Sequence, residues 1–526
     1  MNARDFRRIL SWTSAESEFM KQLSKSRLMS YRQCHRKLWL DVHAPDLQVY
    51  SEDMKARFAT GHQVGEIARG LFDPEGQGTK LDPFADGWQV AFDRTQDLLG
   101  KPQPIFEAAF NIHGALCLGD VLLPAGPGAW RMVEVKSSTY KVDKHGSVSL
   151  KDVLRDDVAF QAHVSRASGL PLAAISLALV DSSWVYPGGG DYRGLLKEVD
   201  VTSEAFGRDS EVRGWIAHAQ DIVAQSDEPN IPTGEHCDDP YECAYKEHCG
   251  KGVEPVEFPV QWLPGRNDKL KALVLKGSVK DMREAPDTLL TAKQLLVKQA
   301  TINKQPHFDQ EGASSALAGH QWPAYFLDFE GIQFAVPIWT GTRPYQQIPF
   351  QFSAHRLTAD GVLTHAEFLD LSGGDPSRGC AEALIPACGN SGPIYVYNKS
   401  YEQGRIADLA ERFPDLAPKL LALNVRIVDL LPVAREHYYH PSQEGSWSIK
   451  SVVPAMFPEE EFLRYDDLEE VQDGELAQKA YLEAIASNTT ADRRRQIERQ
   501  LLAYCKLDTL ATIKLWSKFA GTPVSI

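Results

Sequence analysis

Two hydrophobic periods divide the first half of the chain. A capped helix opens near Leu23, with Ser24 or Ser26 as N-cap, and carries Tyr31, Leu38 and Trp39 towards a core with Cys34 near one end. Residues 54–71 repeat at helical spacing, so His62 and Glu66, four apart, share a face; a surface pair is the plainer reading and a metal contact the alternative. From Pro104 the apolar positions alternate instead. Residues 105–110 and 115–123 read as strands around a polar Asn111-Ile112-His113-Gly114 turn, and 130–136 as a third strand. A helix over about 150–167 and an apolar strand over 173–180 complete an α/β sandwich with a mixed sheet.

The second half repeats this grammar after a mixed stretch. Helical patterns near 269–275 and 289–299, then a polar run over 309–315, form a helical connector over 253–318. Strands follow at 323–331, 347–355, 364–369 and 393–397, the last running through Asn398-Lys399-Ser400-Tyr401-Glu402 into a helix. Residues 500–519 are helical, which puts Tyr504 and Asp508 on one face. Three regions result: 20–252, the connector, and 319–526.

Composition narrows the class. No apolar run is long enough to span a membrane, and residues 1–10 have no apolar core of the kind a secretory signal carries. The eight cysteines then read as cytoplasmic thiols or metal ligands rather than disulfides. A net charge of −15 argues against coating nucleic acid by bulk electrostatics, yet it is compatible with a nuclease, whose metal-binding acids add negative charge. Lys25, Arg27, Arg32, Arg36 and Lys37 could line a local groove around Cys34, and Arg493-Arg494-Arg495 form a second basic group that reads better as a solvated helix face.

Chemistry concentrates at three places. Cys237, Cys243 and Cys249 are evenly spaced in a Pro- and Asp-bearing loop, and Cys34 stands far upstream; four thiolates suit an iron–sulfur cluster or a zinc ion. Their long gaps favour the cluster, while His236 and His248 keep zinc open. Cys117, Cys380, Cys388 and Cys505 read as buried thiols. Asp120 ends one strand, and Glu134 and Lys136 share a face of the next. Two acids beside a lysine can hold Mg²⁺, orient a water and answer charge at a scissile phosphate. In the second half Asp328 and Glu330 share a strand face, joined by Glu402 and Asp508. Four acids of this kind are what a two-metal phosphodiesterase needs. Asp429 is an alternative ligand, though a capping role suits it better.

These residues carry resemblances. Gly119-Asp120, Glu134-Val135-Lys136 and Gln161 resemble the PD-(D/E)XK motifs of RecB-like nucleases. The one-plus-three cysteines resemble the iron–sulfur members of that group, CRISPR-associated and AddB-type. The resemblance implies metal ligation by Asp120 and Glu134, positioning of the nucleophile by Lys136, support from Glu107 and Gln161, and a [4Fe–4S] cluster on the four cysteines. Two departures stand out: Ser165 occupies the tyrosine position of Gln-x-x-x-Tyr, and the place of a helical histidine ligand offers His62 or Glu66. The order Asp-x-Glu, Asn-x-x-x-acid, Tyr-x-x-x-Asp resembles RNase H-like DEDD exonucleases of the tyrosine subtype. It implies metal ligation by Asp328, Glu330, Glu402 and Asp508 and a water-orienting Tyr504, with Glu402 where that family has aspartate. Trp447-Ser448-Ile449-Lys450 resembles the segment before the last motif of proofreading domains, where Trp447 and Lys450 would meet base and phosphate; core packing is an equal reading for Trp447.

The whole resembles a bacterial fusion of the two domain types. The expectation is Mg²⁺- or Mn²⁺-dependent hydrolysis of single-stranded DNA or DNA ends; the competing expectations are an RNA substrate, or a binding or assembly module with degenerate sites.

Overall fold

The computed structural model describes residues 22–524 apart from 145, 147, 253, 266, 267, 276, 278 and 320. Residues 1–10, and the outermost residues of the expected regions at 20, 253, 525 and 526, lie outside that description. The chain is mixed α/β and divides into two compact units, Met1–Val253 with Phe334–Gln346, and Glu254–Gln333 with Gln347–Ile526. The expected connector therefore folds with the second unit. Residues 334–346 lie within the expected 319–526 region but pack in the first, because Ala335 and Val336 are buried with Val64, Val180 and Leu195. No helix among the described residues is long and apolar enough to cross a membrane.

The first unit is built on a six-stranded sheet whose spatial order follows the chain: β1 (Thr79–Lys80), β2 (Ile105–Ile112), β3 (Ala115–Pro124), β4 (Trp130–Thr139), β5 (Leu172–Val180) and β6 (Leu196–Asp200). β2, β3 and β4 pair antiparallel, whereas β4 and β5 run parallel and so need a crossover. The helix Asp152–Ala167 supplies it. Leu154 and every residue from Asp156 to Ser165 is buried, because the helix lies between the sheet and the helix Asp209–Val223. Upstream, the expected single helix is two, Lys25–Gln33 and His35–His43, broken at Cys34, whose extended backbone ends one and starts the other. Ser24 is the N-cap.

In the second unit the sheet order is β10 (Leu363–Leu369), β9 (Ile348–Leu357), β8 (Ala324–Ile332), β11 (Ile394–Val396), β12 (Ile427–Asp429). A separate ribbon pairs β7 (His307–Phe308) with β13 (Tyr438–Tyr439). The polar run at 309–315 is mostly helical (Gln310–Ala316), capped by Asp309, whose side chain accepts from Gly312 N. Strand alternation in β8 does two jobs. Tyr325, Leu327 and Phe329 enter an apolar core with the helices Ser377–Cys388 and Lys399–Arg412. Phe326, Asp328 and Glu330 take the other face, where Phe326 meets Trp516 of the long helix Ala491–Ala520 (ring centroids 5.7 Å).

That helix is fastened by a buried polar knot. Thr509 Oγ1 lies 2.8 Å from both Ser353 Oγ and His355 Nδ1, and Ser353 Oγ lies 2.9 Å from His365 Nε2. The two imidazoles stack with centroids 4.3 Å apart. Burial, with the neighbouring His365 and Lys506, pushes the His355 pKa down to about 3. The native state thus keeps His355 neutral where the unfolded chain takes up a proton near pH 6.5. Stability from this group is full above pH 6.5 and falls as pH drops towards 3, by up to about 1.4 kcal/mol per pH unit. Urea titrations between pH 7 and 5 should show this slope, and His355→Asn should flatten it; an unchanged slope would contradict the assignment.

Candidate functional site

The first acid centre forms where β2, β3 and β4 meet the buried crossover helix. Asp120 lies inside β3 rather than at its end, and its Oδ2 accepts from Val135 N at 2.8 Å, which ties it to the Glu134-Val135-Lys136 strand. Glu134 is fully buried. Gln161 Nε2 donates to Glu134 Oε2 at 2.7 Å and to Asp157 Oδ1 at 2.9 Å, leaving its Oε1 buried without a partner. Lys136 Nζ donates to Glu134 Oε1 at 2.6 Å and to Asp157. Ser165, at the tyrosine position, turns back onto the Gln161 carbonyl at 2.7 Å.

Two members of this centre escaped the sequence reading. Asp157 is buried and four residues before Gln161 on the same helix, a spacing that in an otherwise buried helix was the available signal. Lys25, read as part of the basic groove, instead bonds Glu134 and lies 3.8 Å from both Asp120 and Asp157. Burial opposes its charge, but the three carboxylates outweigh burial and raise its pKa well above the ordinary value. Glu107 has φ +57°, at a position where the β2–β3 register passes from Phe106–Val121 to Ala108–Gly119 without pairing it. Backbone in that region is strained for a glutamate. Burial first, then the charge of Asp120, lifts its pKa to about 7. His62 and Glu66 are exposed, and Glu66 pairs with Arg69 and Lys80, so neither joins the centre.

The remaining groove candidates are internally committed. Arg32 pairs with Asp156 at 2.7 Å and lies over Trp215; Arg36 pairs with Glu228 and donates to Ile231 O at 3.0 Å; Lys37 donates to Gln33 at 2.6 Å. Arg27 donates to the Gln22 carbonyl at 2.9 Å. These contacts fasten the segment around Cys34, which explains the basic cluster without a groove. Arg493, Arg494 and Arg495 are likewise paired or bonded to Glu483, Glu470, Ala484 O and Asp492. Cys34, Cys237, Cys243 and Cys249 are free thiols that line one small cavity with His236, and Gln33 Nε2 secures the loop by donating to the His236 and Tyr241 carbonyls.

The second acid centre lies between β8 and the long helix. Carboxylate oxygens of Asp328, Glu330 and Asp508 all lie within 4.8 Å of one another. Gly331 lies beside them, and a Cβ there would stand 2.5 Å from Tyr401 Oη, so a larger residue would push that hydroxyl aside. Burial, then mutual repulsion, raises Asp328 well above the carboxylate range and Glu330 to about 8; Asp508 rises to about 6, moderated by Tyr465, Lys450 and Tyr504. Tyr465, which the sequence reading missed, donates to Asp508 Oδ1 at 2.5 Å. Lys450 belongs here too, its ammonium 5.2 and 5.0 Å from the ring centroids of Tyr465 and Tyr504 and bonded to Gln472 O at 2.8 Å.

Glu402 stands outside the converging three. It is buried, its Oε2 has no hydrogen-bond partner, and burial lifts its pKa to about 8, yet its charge still acts on Asp328 and Glu330. Asp429 is a cap: it accepts from the backbone N–H groups of Asn398, Lys399 and Leu431. Trp447 is a buried packing residue, with its indole N–H on Tyr438 O at 2.9 Å, which fits the core-packing reading and not the stacking one. Cys117, Cys380 and Cys388 are buried; Cys505 is buried as well but approaches Asp328 Oδ2 at 3.5 Å.

Carboxylates with raised pKa values oppose folding once they must ionise. With Glu330 at about 8 in the native state and about 4.5 unfolded, the cost is absent below pH 4.5, grows with pH and is complete above 8. Glu330→Gln should therefore stabilise the metal-free protein at pH 8 by about 1–3 kcal/mol and have little effect at pH 5. Thermal melts in chelator at the two pH values test this, and destabilisation at pH 8 would contradict it.

Residues 325–448, which include Asp328, Glu330 and Glu402, match a family described as a domain of unknown function (DUF2779). No curated protein and no solved structure matches the chain.

Proposed function

We propose that the protein is a divalent-metal-dependent nuclease with two hydrolytic centres, the first of the RecB-like PD-(D/E)XK type and the second of the RNase H-like DEDD type. The observation that carries the reading is the convergence of Asp328, Glu330 and Asp508, one half-buried and two buried carboxylates from a strand and a helix, within 4.8 Å. Acids packed so closely repel one another, and a divalent cation removes the conflict. The orphaned Oε2 of Glu402 and Oε1 of Gln161 also fit metal-bearing sites, as buried oxygens with lone pairs to spare.

Asp328, Glu330 and Asp508, with Glu402 beside them, would hold Mg²⁺ or Mn²⁺ in the second unit, and Asp120 and Glu134 would hold it in the first. The metal's contribution is to lower the pKa of water and neutralise charge at a phosphate. The chain's own groups do the rest. Tyr465 and Tyr504, kept protonated by burial, give their O–H groups to Asp508, and the hydroxyl oxygen of Tyr504 can still accept from and orient a water. Lys136 brings a charged donor to the phosphate, and Glu107, with its pKa near neutrality, can take a proton at pH 7.

The cysteine centre reads as structural. The four thiols line one small cavity, and their long spacing along the chain favours a cluster, with zinc as the alternative. A cluster there would join the break between the first two helices to the 237–249 loop.

The second reading, a nucleic-acid-binding module with a degenerate site, draws on the displacement of Glu402 from the converging three and on Lys25 among the carboxylates of the first centre.

End-labelled single-stranded DNA should be degraded with Mn²⁺. Asp120→Ala and Asp328→Ala should each remove the activity of one centre by roughly 100-fold or more, and the double variant all of it. Wild type that binds but never cleaves DNA or RNA favours the module. Protein purified anaerobically should contain iron and sulfide and absorb near about 400 nm, with Cys34→Ala losing both; stoichiometric zinc without colour would overturn the cluster assignment.

A further inference from the structure

We infer that the first centre opens onto an aromatic platform of Phe84, Trp88 and Tyr241 that takes unpaired bases, so that this unit acts on single strands. The inference rests on the nuclease reading and adds the part of the substrate that is recognised. One cavity of about 520 Å³ is lined by Asp120, Lys136 and Asp157 and also by these three aromatic residues with Met29, Leu116 and Leu118. Carboxylates and lysines handle a phosphate; a wall of apolar rings has no use for one. Rings have use for a base face, which is exposed in a single strand and hidden inside the stack of a duplex.

Phe84 is the clearest sign. Its relative exposure is 75%, so folding removes little of its surface from water and core stability does not account for it. The chain presents it deliberately. Asp82 accepts from the N–H groups of Phe84 and Ala85 to start the short helix Pro83–Asp86, and Gly87, at φ +95°, ends that helix and begins Trp88–Leu99. The Phe84 and Trp88 rings meet edge to face at 5.6 Å. Tyr241 comes from the cysteine-bearing loop, is 43% exposed, and has its carbonyl held by Gln33 at 2.7 Å. Lys25 and Arg27 line the same cavity, but Lys25 is answered by three carboxylates and Arg27 donates to Gln22 O, so the rings rather than free charge are what the cavity offers a strand.

The test is fluorescence anisotropy of the full chain with labelled oligothymidylate of about 15 nucleotides, an abasic deoxyribose-phosphate strand of equal length, and the matching duplex. Ca²⁺ replaces Mn²⁺. Phe84→Ala and Tyr241→Ala should each weaken oligothymidylate binding roughly 10-fold, leave the abasic strand unaffected, and recover with Phe84→Trp and Tyr241→Phe. Unchanged oligothymidylate binding in the double variant, equal loss for the abasic strand, or a wild-type preference for duplex would overturn the platform. Ring-dependent binding without any cleavage in Mn²⁺ would uphold the platform and defeat the nuclease reading instead.

Discussion

Like charges packed side by side in a protein interior repel with little water to screen them, so each must be answered by a cation, a hydrogen bond or a proton. Both centres are organised by that constraint and meet it differently. In the first, Lys25 and Lys136 stand among Asp120, Glu134 and Asp157, and Gln161 bridges two of the acids. In the second, Lys450, Tyr465 and Tyr504 offset only part of the repulsion, and the carboxyls respond by holding protons at higher pH. The second centre is therefore the one with more to gain from an added cation.

The folds serve these arrangements through simple rules. Alternation in β8 lets one strand bury Tyr325, Leu327 and Phe329 in a core while handing Asp328 and Glu330 to the long helix. The Ser353–Thr509–His355 knot fixes that helix one residue from Asp508. In the first unit the parallel β4–β5 pair forces a crossover, and the helix that makes it is buried deeply enough to deliver Asp157 and Gln161 beneath the strands.

Much of this was legible in the chain. The strands around Glu134 and Asp328 follow from two-residue alternation, and Tyr504 and Asp508 from helical spacing. What could not be read depends on contacts far apart in sequence. Lys25 meets Glu134, and Tyr465 meets Asp508, across separations that local periodicity does not encode. The basic residues around Cys34 looked like a groove because sequence shows a charge and not its partner; Arg32 and Arg36 are spent on Asp156 and Glu228. Trp447 has the composition of a stacking residue and the surroundings of a core one. The short helix that raises Phe84 gave no periodic signal at all, since it is a single turn.

Divalent-cation binding bears most directly on the claim that the second centre is a metal site. Electron paramagnetic resonance of Mn²⁺ added to the full chain at pH 8, for wild type and for Asp328→Asn/Asp508→Asn, separates the two centres. Tight binding is predicted in wild type, with loss of the second centre's share in the double variant and weakening in wild type as the pH falls from 8 to below 6 and Glu330 and then Asp508 take up protons. Mn²⁺ binding that is identical in the two proteins, or absent from both, would contradict it.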